Sequence, residues 1–230
     1  MAIARSTATG APFAKHIELG QTLIGAFASD SGKCRRQQRN FETQALKWKE
    51  DGTTPLLEEV MHFIAMPGTT AGIGDREALE PIEPGTHVRW AVSGHKWGQV
   101  IDARKALPAH NGVGAGREGT DIYTITLAGW SAETKNPQAA INAGFTVVEG
   151  RIVLRSQDDK DRYVLAQSRS GGNTNPAVDY EITIRRPTAD DKRWEQLADE
   201  LYLTKPWENA PAAAAPADER GSYDDTEAPF

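Results

Sequence analysis

The chain has 230 residues, with 26 Lys+Arg against 32 Asp+Glu, and so a formal charge of −6. At 39% hydrophobic residues it reads as one soluble globular domain plus non-globular sequence; no apolar run approaches the roughly 18 residues of a membrane span. One cysteine, Cys34, excludes an internal disulfide framework and every multi-Cys zinc pattern.

In chain order, residues 1–14 lack the apolar stretch of a secretory signal and read as a flexible arm. Residues 15–187 form a β-rich body. Apolar or β-branched runs between turn signals predict strands over 17–28, 60–66, 87–93, 97–103, 122–128, 145–154, 163–167 and 180–184. The 41–50 segment alternates well enough for another, and the acidic run 157–161 predicts a hairpin turn. Thr188 with Asp191 three residues on is a capping-box start, followed by Trp194, Leu197, Ala198 and Leu201 at helical spacing. Residues 188–205 therefore hold a C-terminal helix over about 189–203, ending before Pro206.

Residues 206–230 are rich in Ala and Pro and predict a disordered linker and acidic tip. From 208 onward there are six acids and one base, a charge of −5, which leaves residues 1–207 at −1. The fold class expected is mainly β: an open barrel of the oligonucleotide-binding type with extra hairpins, one C-terminal helix and a disordered acidic tail. A β-sandwich fits the same pattern.

Chemical motifs are informative mostly by failing. Gly114, Gly116 and Gly119 match G-x-G-x-x-G, but a loop precedes them and a strand-like run follows, where the dinucleotide fingerprint needs a strand before and a helix after. Gly32-Lys33 lacks the phosphate-loop glycine, since Phe27 occupies that place, and Cys34 replaces the Ser/Thr. The five histidines have no metal spacing, although His87 and His95 are placed to meet across a hairpin. Asp158, Asp159 and Asp161 are the only acids suggestive of metal-dependent cleavage, and acids are common in turns. No catalytic constellation and no cofactor is expected. Cys34, between Lys33 and Arg35, has no resolving partner.

Charge and aromatics concentrate in two stretches. From Lys33 to Lys49 there are six bases (Lys33, Arg35, Arg36, Arg39, Lys47, Lys49) and one acid, with Phe41 and Trp48 among them. A second stretch interleaves Arg89, Lys96, Arg104 and Lys105 with Trp90 and Trp97. Single-strand binders combine cations that follow phosphates with aromatic faces that stack on bases. On a regular strand Lys47 and Lys49 share one face and Trp48 takes the other. Trp90 shares a strand face with Val88 and Val92 and reads as core, whereas Trp97, between Gly94 and Gly98, reads as a stacking residue.

The last eight residues, Tyr223 to Phe230, set acids before a Pro-Phe end. This resembles the acidic C-terminal tip of bacterial and phage single-stranded-DNA-binding proteins, and the order of β-rich domain, low-complexity linker and tip is also theirs. Ala228 and Thr226 depart from that pattern. The resemblance implies an oligonucleotide-binding barrel, and a tip through which Asp224, Asp225, Glu227, Pro229 and Phe230 recruit replication and repair proteins. The expected function is sequence-tolerant single-stranded DNA binding without enzymatic activity, phage-encoded, in the bacterial host cytoplasm, off the membrane and compatible with a homo-oligomer. A virion structural or assembly protein of β-sandwich type is the alternative, and a metal-dependent nuclease a third reading.

Overall fold

The computed structural model describes residues 11–28, 33–37, 45–49, 51–75, 78–92, 95–107 and 119–204. The elements are β1 (Thr22–Phe27), β2 (Lys33–Gln37), β3 (Leu57–Ala65), β4 (Gly72–Asp75), β5 (Ala78–Pro81), β6 (His87–Val92), α1 (His95–Lys105), β7 (Asp121–Glu133), α2 (Pro137–Asn142), β8 (Thr146–Val148), β9 (Arg151–Leu154), α3 (Gln157–Ser170), β10 (Ala177–Arg185) and α4 (Lys192–Thr204). The protein is mainly β, built on one open antiparallel sheet with a small β4–β5 hairpin beside it.

Two long strands organise the sheet. β3 pairs with β6 along one edge, and along the other with β2 (Lys33 opposite Met61) and then β1 (Gly25 opposite Ala65). β1 and β2 thus run end to end along β3. The free edge of β1 pairs with β7, Thr22 opposite Thr126, and the far edge of β7 pairs with β10. The main order is β6–β3–β1–β7–β10, with the β8–β9 hairpin added to the distal end of β7.

Alternation explains the core. Leu23 and Phe27, Met61 and Phe63, Val88, Trp90 and Val92, and Tyr123, Ile125 and Leu127 all turn to one face and make the main cluster. The strand then bends at Gly129, whose φ is 153° and where a Cβ would lie 2.5 Å from the Leu154 carbonyl oxygen. Opposite it the register shifts between Asp179 and Tyr180, a bulge that keeps Trp130 and Ala132 on the core side.

The opposite face of β1, β3 and β7 is covered by α4. Ala198 and Leu201 pack on Ala26, Ile64, Met66 and Ile122, with Trp194 and Leu197 alongside. Three polar contacts set its position. Asp191 caps the Thr188 backbone N–H at 2.8 Å and takes two bonds from Arg185, at 2.5 and 2.9 Å, and Thr120 donates to Asp199 at 3.0 Å. The Thr188–Asp191 capping box predicted from sequence is present, opening a 3-10 turn that leads into α4.

Three expectations change. Residues 97–103 are helical, within α1: Trp97 and Val100 stand three apart and both pack on the core, with Arg104 and Lys105 in the last turn where the helix dipole favours cations. Residues 157–167 are helical too, within α3, in place of a turn and strand. Ser156 accepts the Asp159 N–H at 3.1 Å and donates its hydroxyl to that carboxylate at 2.8 Å, and Gly171 ends the helix at φ 69°. The expected single helix becomes four among the described residues. The run 145–154 is a hairpin, β8–β9, turning at Glu149 (φ 48°) and Gly150 (φ 76°).

Among the described residues no closed barrel forms: β6 and β10 are not paired. Residues 12–15 and α1 lie at this seam. Arg89 N–H donates to the Pro12 carbonyl and Ala14 N–H to the Arg89 carbonyl, both at 2.8 Å, so Phe13 sits parallel to Arg89. Lys15 then pairs with Gly72 of β4. Trp90 and Tyr180 meet edge-on across the gap, ring centroids 5.3 Å apart. No helix among the described residues is long and apolar enough to cross a membrane.

Candidate nucleic-acid interface

The first basic stretch is split by the fold. Lys33, Cys34, Arg35 and Arg36 lie on β2, in register with Met61, Val60, Glu59 and Glu58. Two of the three bases therefore stand opposite acids, which the sequence count of charge did not include. Arg39 and Phe41 lie outside the described residues, as do Asp224, Asp225, Glu227, Pro229 and Phe230 of the tip.

Residues 45–57 form a hairpin arm leading into β3. Lys49 N–H donates to Thr54 O at 2.8 Å, Leu56 N–H to Lys47 O at 3.1 Å, and Trp48 bridges to Pro55. The turn is held by Asp51, whose carboxylate accepts the backbone N–H groups of Thr53 and Thr54 at 2.9 and 2.7 Å. The Thr54 hydroxyl and these N–H groups lower the Asp51 pKa to about 2, so it stays charged and the turn stays closed near neutrality. The strand expected over 41–50 is thus, in its described part, one side of a two-rung hairpin. Its consequence is exposure: Trp48 is 48% exposed, between exposed Lys47 and Lys49, with Leu46 and Leu57 exposed nearby.

In the second stretch Trp97 is partly buried against the main core. Lys96 is drawn to the seam, its ammonium 5.3 Å from the Tyr180 ring and bonded to the Ala91 carbonyl at 3.4 Å. Lys105 pairs with Asp102 at 3.1 Å on the exposed side of α1, and Arg104 is partly buried on the same helix. Trp90 is core, 2% exposed, as the alternation predicted.

Arg89 has a different setting. With Trp90 facing the core, Arg89 and His87 take the outer face of β6, and His62 stands in register with Arg89 on β3. The Arg89 guanidinium lies 4.1 Å from the centre of the Phe13 ring. His62 Nδ1 and His87 Nε2 share a hydrogen bond of 2.8 Å. Burial first, then for His62 the neighbouring His87, and for both the charge of Arg89, lower His62 to about 3 and His87 to about 4, so both rings are neutral at neutral pH. His87 therefore meets His62 across β6 and β3. Shared parity on the predicted strands 60–66 and 87–93 would have found this pair. Phe13 carried no local signal.

A second concave face lies on β9, β7 and β10. Asp179, buried, accepts the Ser131 hydroxyl at 2.9 Å and lies 3.7 Å from Arg155, which reaches over Gly129 to the Ala128 carbonyl. Arg151 bonds Ser131 at 2.9 Å and Glu133 at 3.3 Å. Here each guanidinium already has an acid, so the face offers no free field for phosphate.

Two of the three acids proposed for cleavage have structural partners: Asp159 accepts the hydroxyl of Ser156, the cap of α3, at 2.8 Å and pairs with Arg162 at 3.5 Å, and Asp161 accepts from Gln157 at 2.7 Å. Among the described residues no three His, Cys, Asp or Glu side chains converge to hold a metal ion. No protein-family model, curated protein sequence or solved structure matches this chain.

Proposed function

We propose that this protein binds single-stranded DNA without regard to sequence, through an open barrel of the oligonucleotide-binding type. The observation that carries the reading is Trp48, half exposed between two lysines on a hairpin arm that extends the basic β2 and the acidic start of β3. An exposed indole suits a base stacked on its ring, and the lysines before and after it supply cations for phosphates of the same strand.

The strand plan supports the barrel. Five strands in the order β6–β3–β1–β7–β10, open between the first and last, match a partly open five-stranded Greek-key barrel. In that fold the loops between strands one and two, and four and five, flank the binding face. The Trp48 arm occupies the first place; residues 134–176, with the β8–β9 hairpin and α3, occupy the second. The tip residues Asp224, Asp225, Glu227, Pro229 and Phe230 would recruit replication and repair proteins in the bacterial cytoplasm.

Fluorescence anisotropy with labelled oligo-dT over a salt series tests this. Micromolar or tighter affinity that weakens steeply with salt is expected. Absence of binding at low salt, both for the full chain and for a chain ending at residue 207, would overturn the reading.

A further inference from the structure

The strand face that the proposed barrel would offer to a base is already occupied. Phe13 covers Arg89 at 4.1 Å, an arrangement in which a ring lies against a guanidinium plane. A nucleobase makes the same kind of contact with arginine. His87 and the buried His62 lie on the same side of β6 and β3, their ring centroids 5.1 Å apart.

The backbone on either side of Phe13 is pinned. Pro12 and Ala14 bond to Arg89, and Lys15 exchanges two bonds with Gly72, at 2.8 and 3.1 Å. Ala14 belongs to the main core. His16 points inward as well, its Nε2–H donating to Ile125 O at 3.1 Å and its ring edge-on to Tyr180. Lys15, on the outer side, bonds to the Gly74 carbonyl through its ammonium. Residue 13 is thus held over Arg89 by its neighbours, yet its own ring belongs to neither core cluster and is only partly buried. Rotation about the Phe13 side-chain bonds, with the backbone on either side held, is the movement that would uncover Arg89.

Building on the single-strand reading above, we infer that Phe13 is a built-in occupant of a base-stacking seat on Arg89, displaced when a nucleobase of single-stranded nucleic acid takes its place. The ring competes with the ligand and lowers the apparent affinity of the free protein by the fraction of time the seat is closed.

The experiment compares oligo-dT anisotropy for the full-length wild type, Phe13→Ala and Phe13→Leu, each also with Arg89→Ala. Phe13→Leu keeps apolar volume on the edge of β6 and removes the aromatic face, so it reports even where the alanine variant is poorly folded. Both single variants should bind about fivefold tighter at fixed salt, in proportion to a surface cation–π contact, with the salt slope unchanged. The gain should vanish with Arg89→Ala. Wild-type binding with no gain in a folded Phe13→Leu protein overturns the seat alone, as does a gain that persists without Arg89. Tight binding by the Phe13 variants and none by wild type supports the seat. Binding by none of the proteins overturns both this inference and the single-strand reading.

Discussion

Replacing Trp48 with alanine isolates the arm. A tryptophan side chain contributes up to about 250 Å² of surface, and at 48% exposure roughly half of that remains open to a ligand. At about 25 cal/mol per Å², complete cover of that area would be worth about 3 kcal/mol. A single stacked base covers one ring face, about half of it, or about 1.5 kcal/mol, which falls within the range for base–aromatic stacking. Trp48→Ala should therefore weaken oligo-dT binding about tenfold at constant salt, and Trp48→Phe should recover part of the loss. Trp48 is in neither core cluster, so the melting temperature should stay close to that of the wild type. Lys47→Ala with Lys49→Ala should instead flatten the salt dependence, by about 0.7 in log–log slope for each single-strand phosphate that is no longer neutralised. Anisotropy over 50 to 300 mM salt, roughly the range where such slopes are read, separates the two effects. An affinity unchanged by Trp48→Ala in a folded protein would refute the stacking argument.

Leu201→Ala should cost about 2–5 kcal/mol in urea unfolding, because this side chain fills the layer between α4 and the β1–β3 face. Ser156→Ala removes the cap of α3 and should cost about 0.5–2 kcal/mol, read in the same assay. His16, whose burial lowers it to about 4, joins His62 and His87 in staying neutral when folded, whereas an unfolded histidine takes up its proton near 6.5. The unfolded chain binds more protons below that point. Stability should accordingly fall as pH drops from about 6.5 towards 4, by about 1.4 kcal/mol per pH unit for each such histidine, and unfolding at pH 7 and pH 5 measures it. Asp191 is held below the usual carboxylate range, first by the Arg185 hydrogen bonds. Its contribution is present above about 3.8 and is lost as pH falls further, so Asp191→Asn should lower the melting temperature at pH 7 and leave a shallower acid limb below pH 4.

Much of the sheet was legible because its strands alternate. Val88, Trp90 and Val92 declare their inward face, and so do Tyr123, Ile125 and Leu127. α4 was legible from Thr188 and Asp191. The same Ser/Thr-x-x-Asp signal stands at Ser156 and Asp159, but the acids that open α3 also suit a turn, and local sequence does not separate the two uses. α1 hid its period because only Val100 is fully buried, while Trp97 and Ile101 lie at its margins and charges fill the rest. The site was legible in composition and not in arrangement. Trp48 stands out with its lysines, yet its exposure depends on a turn held by Asp51. Arg89 reads as a cation, but its ring partner comes from residue 13, far upstream, and only tertiary structure joins them.

The position of β7 has a consequence for the growing chain. β1 pairs along its length with residues 121–126, whereas the β1–β3 pairing is only two rungs. At the usual 5–20 residues per second, a ribosome needs roughly 3 to 11 s to pass from the end of β3 to the start of β7. For that interval one edge of β1 faces the cell with its backbone groups unpaired, beside a strand, β3, that is buried on both faces from Val60 to Ala65 in the finished fold. The nascent protein is then most open to the strand exchange and aggregation that the finished sheet prevents. Variants that slow synthesis between residues 65 and 121 should lose yield even where the mature fold is untouched.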